Sequence, residues 1–201
     1  MKIGVLGGTF DPIHNAHIVV AEEARVELDL TEILFVPAGQ PWLKENTPIS
    51  AAAHRVEMVR LAIADKPYFR LSTMEIERGG PSYTIDTIAE LRAGFGAGNE
   101  LFLILGWDSL AELPKWREPS RLITLCRLVV APRPGYPRPE LNALETVIPG
   151  ISQRVTVMEK PEIDISASDI RNRVAQGLSI RHLVPEPVER YITQHKLYMT
   201  L

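Results

Sequence analysis

Two histidines follow a pair of glycines near the start of the chain. In the opening stretch MKIGVLGGTFDPIHNAHIVV, Gly7 and Gly8 come directly after an apolar run, and His14 and His17 stand three positions apart. Glycine has no Cβ atom, so a ligand can approach its backbone closely, and residues three apart share one face of a helix. Imidazole N–H groups donate hydrogen bonds to phosphate oxygens, and the cationic form adds charge. The spacing therefore predicts a phosphate site where the first strand ends.

This glycine turn matches neither of two common phosphate-binding loops. It lacks the Gly-Lys-Ser/Thr ending of a Walker loop. Its glycines read G-x-x-G-G, and the second apolar run ends FVPA with no acidic residue, unlike a dinucleotide-binding fingerprint. A dehydrogenase-type dinucleotide-binding domain and a non-catalytic nucleotide-binding module stay open as alternative functions.

A second anion-binding pattern lies near the other end of the chain, in DISASDIRNRV. Ser166 precedes Asp169 by three positions, which predicts a capped helix N-terminus. The free N–H groups of such an end bind anions. Arg171 follows Ser168 by three and can bring a permanently charged, fork-shaped guanidinium to the same anion. Taken by itself, the pattern also fits a capped surface helix with a solvated arginine.

Short apolar runs alternate with amphipathic segments along the whole chain. This alternation predicts a Rossmann-like, doubly wound α/β fold with a mostly parallel sheet and helices on both faces. In such sheets, ligands bind beyond the carboxyl ends of the strands, where the strand order reverses. The predicted strands are 2–6, 32–37, 69–76 (a strand or an extended stretch), 100–106, 127–132 and 154–159. The predicted helices are 15–28, 51–65 with Ser50 as its cap, 84–95, 108–113, 118–125, about 165–176 ending at Gly177, and about 185–195.

Composition limits the classes of partner. Lys and Arg (22) nearly balance Asp and Glu (25), for a net charge of −3, which argues against a nucleic-acid-binding protein. No apolar stretch approaches the ~18 residues of a membrane span, and no signal-peptide pattern precedes the first strand. The lone cysteine, Cys126, lies in an apolar run and predicts a buried thiol. We expect one cytoplasmic domain over residues 1–201, with no membrane partner and with a homo-oligomer left open.

The two patterns together resemble a known superfamily. GGTFDPIHNAH resembles the phosphate-binding signature of the nucleotidyltransferases named for their histidine motif, and in particular their bacterial nicotinate-nucleotide adenylyltransferase branch. Members of that branch often carry glycine before the second histidine, where this chain has Ala16. The stretch I-S-x-S-x-I-R resembles the second motif of the same superfamily, which holds the β- and γ-phosphates of ATP. The two motifs lie about 150 residues apart in the family's order, so the resemblance spans nearly the whole chain.

The resemblance implies a reaction and its cofactor. It implies transfer of an adenylyl group from ATP to nicotinate mononucleotide, giving deamido-NAD and pyrophosphate in NAD biosynthesis. Mg²⁺ would arrive with ATP, without metal ligands from the protein. The C-terminal helices, about 166–201, would complete the phosphate site. Related adenylyltransferases that act on nicotinamide mononucleotide or pantetheine phosphate are the alternatives.

The resemblance also implies roles for particular residues. It implies catalytic roles for His14, His17 and Arg171. It implies contacts with ATP and its phosphates by Gly7, Gly8, Thr9, Phe10, Gly106, Asp108, Arg133, Ser166 and Ser168. At the mononucleotide end, Trp116 would stack on the pyridine ring, Thr84 would help bind the nicotinate carboxylate, and Lys44 would lie near the mononucleotide phosphate.

Overall fold

A computed structural model describes residues 1–41, 48–96 and 98–199 of the chain. Within these residues, one sheet of parallel strands has the order β3-β2-β1-β4-β5-β6. The strands are β1 (Lys2–Gly8), β2 (Glu32–Pro37), β3 (Phe69–Leu71), β4 (Glu100–Gly106), β5 (Arg127–Ala131) and β6 (Val155–Val157). The order reverses between the neighbouring strands β1 and β4, which makes their carboxyl ends the switch point. The predicted doubly wound α/β fold is confirmed.

Helices cover both faces of the sheet. They are α1 (Asn15–Leu28), α2 (Ala52–Ala62), α3 (Met74–Arg78), α4 (Thr84–Phe95), α5 (Trp107–Glu112), α6 (Pro119–Leu125), α7 (Leu141–Val147), α8 (Ala167–Ala175) and α9 (Glu186–Gln194). Short 3₁₀ turns at Leu113–Lys115 and Ile151–Gln153 follow α5 and α7. None of the helices in the described parts of the chain is long and apolar enough to cross a membrane.

The hydrophobic core consists of two clusters, one on each face of the sheet. One cluster packs α1 and α2 together with Ile170 of α8 and with Val188 and Ile192 of α9. The other packs α4, α5 and α6 against the opposite face. The strands between them are apolar on both sides, as expected for a parallel sheet covered by helices. On this face α9 packs beside α2, and the backbone N–H of Asn15 at the start of α1 donates to the carbonyl oxygen of Leu183 at 2.9 Å, so both ends of the chain meet there.

Most predicted elements agree with the structure, and two do not. Helix α1 has the predicted bounds, and α8 is capped by Ser166 as predicted. The stretch predicted as strand or extended over 69–76 is wrong beyond Leu71, because α3 begins at Met74. The prediction of Ser50 as the cap of α2 is also wrong: Ala51 holds that position, and the Ser50 backbone N–H donates to Asp11 instead. Helix α7 was not predicted from sequence at all.

Cys126 behaves as its surroundings in the sequence predict. Its side chain is buried at the end of α6, and its thiol lies 3.5 Å from the carbonyl oxygen of Leu122. Burial raises the pKa of this thiol to about 12. The thiol therefore stays protonated and serves as core packing.

Candidate active site

A cavity of about 440 Å³ opens at the carboxyl ends of β1 and β4. With one exception, it is lined by every residue that the sequence predicted for the site. These are Gly7, Gly8, Thr9, Phe10, His14, His17, Thr84, Gly106, Asp108, Trp116, Arg133, Ser166, Ser168 and Arg171. Lys44, the remaining predicted residue, lies outside the described residues.

Contacts among three rings hold the histidine pair in place. The His14 and His17 rings are stacked with centroids 3.7 Å apart, and the Phe10 and His17 rings meet edge to face with centroids 5.0 Å apart. The backbone N–H of His14 donates to Nδ1 of His17 at 3.2 Å. Because Nδ1 accepts this bond, a neutral His17 carries its proton on Nε2. The helix N-terminus thus sets both the orientation and the tautomer of His17.

The environment of His14 keeps its imidazole neutral. The side chain is 2% exposed, and burial, with a smaller contribution from the charge of Arg133, lowers its pKa to about 3. Among the described residues, no hydrogen-bond partner reaches its Nδ1. The expectation that a cationic imidazole adds charge therefore does not hold for His14 in the ligand-free protein. His14 can offer a phosphate oxygen a single N–H group from a neutral ring.

The N-terminus of α8 lines the cavity on the same face of the sheet as α1. The hydroxyl of Ser166 accepts a hydrogen bond from the N–H of Asp169 at 3.0 Å. The guanidinium of Arg171 donates from Nη2 to the hydroxyl of Ser168 at 3.2 Å, and from Nη1 to the carbonyl oxygen of Asp11 at 2.7 Å. The predicted cap is thus observed, and Arg171 reaches the loop that carries the histidines.

A buried arginine that sequence reasoning missed joins the loops around the cavity. Arg55 of α2 is 2% exposed. Its guanidinium donates to four backbone carbonyl oxygens, those of Thr9 (2.9 Å), Ala38 (2.7 Å), Gly39 (3.4 Å) and Ser50 (3.0 Å). A signal for it was present: Arg55 stands three and four positions before the buried Met58 and Val59, so it lies on the buried face of α2.

The turn after β4 places a carboxylate at the centre of the cavity wall. Asp108 lies in the first turn of α5, and its side chain folds back over Gly106. A Cβ atom at position 106 would collide with Oδ1 of Asp108, so a side chain there would displace this carboxylate. Nε of Arg133 stands 3.9 Å from Oδ2 of Asp108. Gly106, Asp108 and Arg133 therefore form one connected group.

The far end of the cavity is lined by α3, α4 and the turn before α6. Thr84 is the first residue of α4, and Trp116 packs against the core while its buried Nε1 has no partner among the described residues. Two further side chains that line the cavity, Glu75 and Thr87, were not predicted from the sequence. The buried carboxylate of Glu75 accepts a hydrogen bond from the hydroxyl of Thr87 at 2.6 Å.

The position of α4 depends on the loop after β2. The hydroxyl of Ser82 accepts hydrogen bonds from the backbone N–H groups of Gly39 (2.8 Å) and Gln40 (3.2 Å). A side chain at position 39 would overlap the carbonyl oxygen of Glu75, so Gly39 allows α3 to approach this closely. The loop after β2 and the start of α4 therefore form one wall of the cavity.

Comparison with known proteins identifies the family. The family model of cytidylyltransferase-like proteins matches residues 5–173. A probable nicotinate-nucleotide adenylyltransferase of Dehalococcoides mccartyi strain CBDB1 is 48% identical over 198 residues, which cover 98% of this chain and 97% of the relative. The chain belongs to the nicotinate-nucleotide adenylyltransferase family. A relative of the same name from Roseiflexus sp. strain RS-1 is 49% identical over 196 residues, covering 98% of this chain and 97% of the relative. The resemblance seen in the two motifs is confirmed.

Solved structures share the fold. The nicotinic acid mononucleotide adenylyltransferase of Plasmodium falciparum, complexed with NaAD, superimposes with a TM-score of 0.81 at 19% identity. The match covers 98% of this chain and 97% of that one. The same Plasmodium protein complexed with APC superimposes with a TM-score of 0.75 at 19% identity, covering 98% of this chain and 96% of the other. At this identity the likeness establishes the Rossmann-like architecture of a family member.

Proposed function

We propose that this family member joins ATP and nicotinate mononucleotide to give deamido-NAD and pyrophosphate, as one domain acting in NAD biosynthesis in the cytoplasm. The observation that carries the proposal is that one cavity is lined by His14, His17 and Arg171 from one face of the sheet and by Thr84 and Trp116 from the other. The near-full-length relatives named for this activity support it. So does the Plasmodium relative with NaAD bound.

The reaction needs positioning more than acid–base chemistry. The second ionisation of a phosphate monoester lies near ~6, so the mononucleotide phosphate is already a nucleophile at neutral pH. One of its oxygens attacks the α-phosphorus of ATP, a new P–O bond forms, and the bond to the bridging oxygen breaks as pyrophosphate leaves. Negative charge builds up on the α-phosphate oxygens and on the leaving group. The protein therefore gains most from fixed donors and cations along this line.

The phosphate end of the cavity supplies such donors. The Gly7–Phe10 turn lets the triphosphate approach the backbone, and His14 and His17 donate N–H groups to the α-phosphate region. Nε2 of His17 is the donor left to this ring once Nδ1 has accepted the N–H of His14. Ser166, Ser168 and Arg171 at the start of α8 bind the β- and γ-phosphates and hold the leaving pyrophosphate.

The rest of the cavity binds the two bases and the second substrate. Asp108 accepts hydrogen bonds from ribose hydroxyls, and Arg133 borders the adenine. Trp116 stacks on the pyridine ring and Thr84 contacts the nicotinate carboxylate. Lys44, outside the described residues, completes this set near the mononucleotide phosphate.

Mg²⁺ enters the proposal bound to ATP. In residues 1–41, 48–96 and 98–199 no group of three or more His, Cys, Asp or Glu side chains could hold a metal ion. The carboxylates that line the cavity have partners: Asp11 bonds to Ser50, Glu75 to Thr87, and Asp108 lies beside Arg133. We expect oxygens of the triphosphate and water molecules to be the main ligands of Mg²⁺. The ion would neutralise phosphate charge as it builds up.

A pyrophosphate-release assay tests the proposal. The purified protein is mixed with ATP and Mg²⁺ and with nicotinate mononucleotide, nicotinamide mononucleotide or pantetheine phosphate in separate reactions. We expect the highest kcat/KM with nicotinate mononucleotide, and mass spectrometry should identify deamido-NAD as the product. Faster turnover with either other acceptor would assign the chain to that alternative. Binding of ATP or NAD without pyrophosphate release from any acceptor would refute adenylyl transfer.

A further inference from the structure

We propose that Tyr198, in the C-terminal tail, positions the ATP phosphate site by holding Asp11. The inference rests on the proposed function, because it concerns the same cavity. The hydroxyl of Tyr198 donates to Oδ1 of Asp11 at 2.6 Å, across 187 positions of sequence. Tyr198 itself does not line the cavity, so it is a positioning residue and not a catalytic one.

Asp11 connects the tail to the phosphate site. It is 4% exposed, and its other carboxylate oxygen, Oδ2, accepts the backbone N–H of Ser50 at 3.0 Å. Its backbone carbonyl oxygen accepts the guanidinium of Arg171 at 2.7 Å. Asp11 also precedes His14 by three positions in the same loop. A rotation of Asp11 would therefore disturb both the histidine loop and the arginine that faces it.

The hydroxyl of Tyr198 is suited to this task. Burial and the neighbouring Asp11 carboxylate raise the pKa of Tyr198, so the phenol keeps its proton and remains a donor at neutral pH. A hydrogen bond to a carboxylate is about twice as strong as one between neutral groups. Without it, the buried carboxylate oxygen would need another donor. Arg171 already donates to the backbone of the same residue, so its guanidinium is a neighbouring donor that this oxygen would compete for with a bound phosphate.

The backbone of the C-terminal tail, residues 196–198, has a specific conformation that its contacts stabilise. Lys196 and Tyr198 both adopt left-handed conformations, with φ of 51° and 64°. Such conformations are unfavourable for residues other than glycine. Contacts offset this cost: the N–H of Leu197 donates to the carbonyl oxygen of Ile192 at 3.0 Å, and Leu197 and Tyr198 pack against the core. The tail therefore has one defined position, which delivers the hydroxyl to Asp11.

The first test compares two tyrosines of the C-terminal segment. Tyr198→Phe removes only the hydroxyl that holds Asp11, whereas Tyr191→Phe removes a hydroxyl that contacts His54 at 2.9 Å, away from the cavity. We expect Tyr198→Phe to raise the KM for ATP roughly tenfold, less than the ~10²-fold loss that a ~1 Å misplacement of a positioning group can cause. The KM for nicotinate mononucleotide should stay within about twofold, and Tyr191→Phe should leave both constants near wild type. The same KM values in Tyr198→Phe and Tyr191→Phe would overturn the proposal. So would an equal rise in Tyr198→Phe of the KM for ATP and the KM for nicotinate mononucleotide.

The second test asks whether Tyr198 acts through Arg171. Calorimetry measures the affinity for a non-hydrolysable ATP analogue in the wild type, Tyr198→Phe, Arg171→Lys and the double variant. If Tyr198 acts through Arg171, both substitutions disturb the same contact and their effects should not multiply. The double variant should then bind the analogue no more than about twofold more weakly than Arg171→Lys alone. Multiplied effects would show that Tyr198 acts independently of Arg171 and would overturn the part of the proposal that runs through this arginine. Because this readout needs no turnover, it is independent of a failure of the proposed reaction, which the wild-type pyrophosphate assay reports separately.

Discussion

The guanidinium of Arg171 donates to the carbonyl oxygen of Asp11 at 2.7 Å, joining residues 160 positions apart in the chain. The same guanidinium donates to Ser168 at 3.2 Å, so its fork spans the start of α8 and the loop before α1. The histidine pair lines the cavity between these segments. This contact joins the two sequence motifs at one cavity.

Arg171→Lys should weaken ATP binding although it keeps the charge. Lysine has one nitrogen and cannot hold Asp11, Ser168 and a phosphate oxygen together as a guanidinium can. We expect kcat/KM for ATP to fall roughly 10²-fold in the pyrophosphate assay. Arg173→Lys is the matched control, since Arg173 lies on the same helix outside the cavity. Similar losses in both variants would argue against a specific role for Arg171.

His17→Ala should lower turnover far more than stability. It removes one preorganised donor to the transferring phosphate, which typically costs ~10²–10³ in kcat. The lost acceptor for the His14 N–H should cost only about 1 kcal/mol of unfolding free energy. Steady-state kinetics and urea unfolding measure the two effects, with the exposed His195→Ala as the control. Near-normal kcat in His17→Ala would contradict the role assigned to His17.

The buried His14 should make the fold sensitive to acid. Its folded-state pKa of about 3 lies below the ordinary value of 6.5, so folding favours the neutral ring. The stability linked to this ring is complete above pH ~6.5 and is lost progressively as the pH falls toward ~3. Between pH 7 and pH 5, the unfolding free energy linked to His14 should fall by about 2 kcal/mol.

Urea unfolding at pH 7 and pH 5, in the wild type and in His14→Asn, measures the part of this pH dependence that comes from His14. His14→Asn should lose about 2 kcal/mol less than the wild type over this interval, because asparagine does not titrate. His195→Asn should follow the wild type, since His195 is exposed. A parallel pH dependence in the wild type and His14→Asn would show that His14 is not buried in its neutral form.

Arg55→Lys should destabilise the fold. A single ammonium cannot reach the four carbonyl oxygens that the guanidinium serves, and buried acceptors left unpaired cost about 1–3 kcal/mol each. We expect a loss of roughly 3 kcal/mol of unfolding free energy by urea titration. Arg70→Lys, at an exposed arginine of β3, should change it by no more than about 0.5 kcal/mol. An unchanged urea midpoint in Arg55→Lys would contradict this account.

Local patterns were sufficient for many elements. Helix α1 was predicted with its observed bounds because its apolar residues repeat at helical spacing, and the Ser166 cap was predicted because side-chain capping depends on residues three apart. Helix α7 was missed: none of its residues is buried, so it has no apolar face to reveal it. The strand predicted after Leu71 failed because the turn into α3 is set by contacts with β2 and Gly39.

The sequence by itself determined the fold class, the two motifs that we propose bind phosphate, and their order, since these depend on hydrophobic periodicity, glycine positions and side-chain chemistry within a few residues. Only the tertiary structure decided that Arg171 meets Asp11, that Tyr198 holds the same aspartate, that Arg55 is buried beneath the loops and that His14 stays neutral. The physical reason is that hydrogen bonds between distant segments, and the loss of water around a buried group, arise only when the sheet and its helices have packed. A spacing of three residues in the sequence predicts which side chains share a face of a helix. Only the packing of the helices and the sheet decides which groups that face contacts.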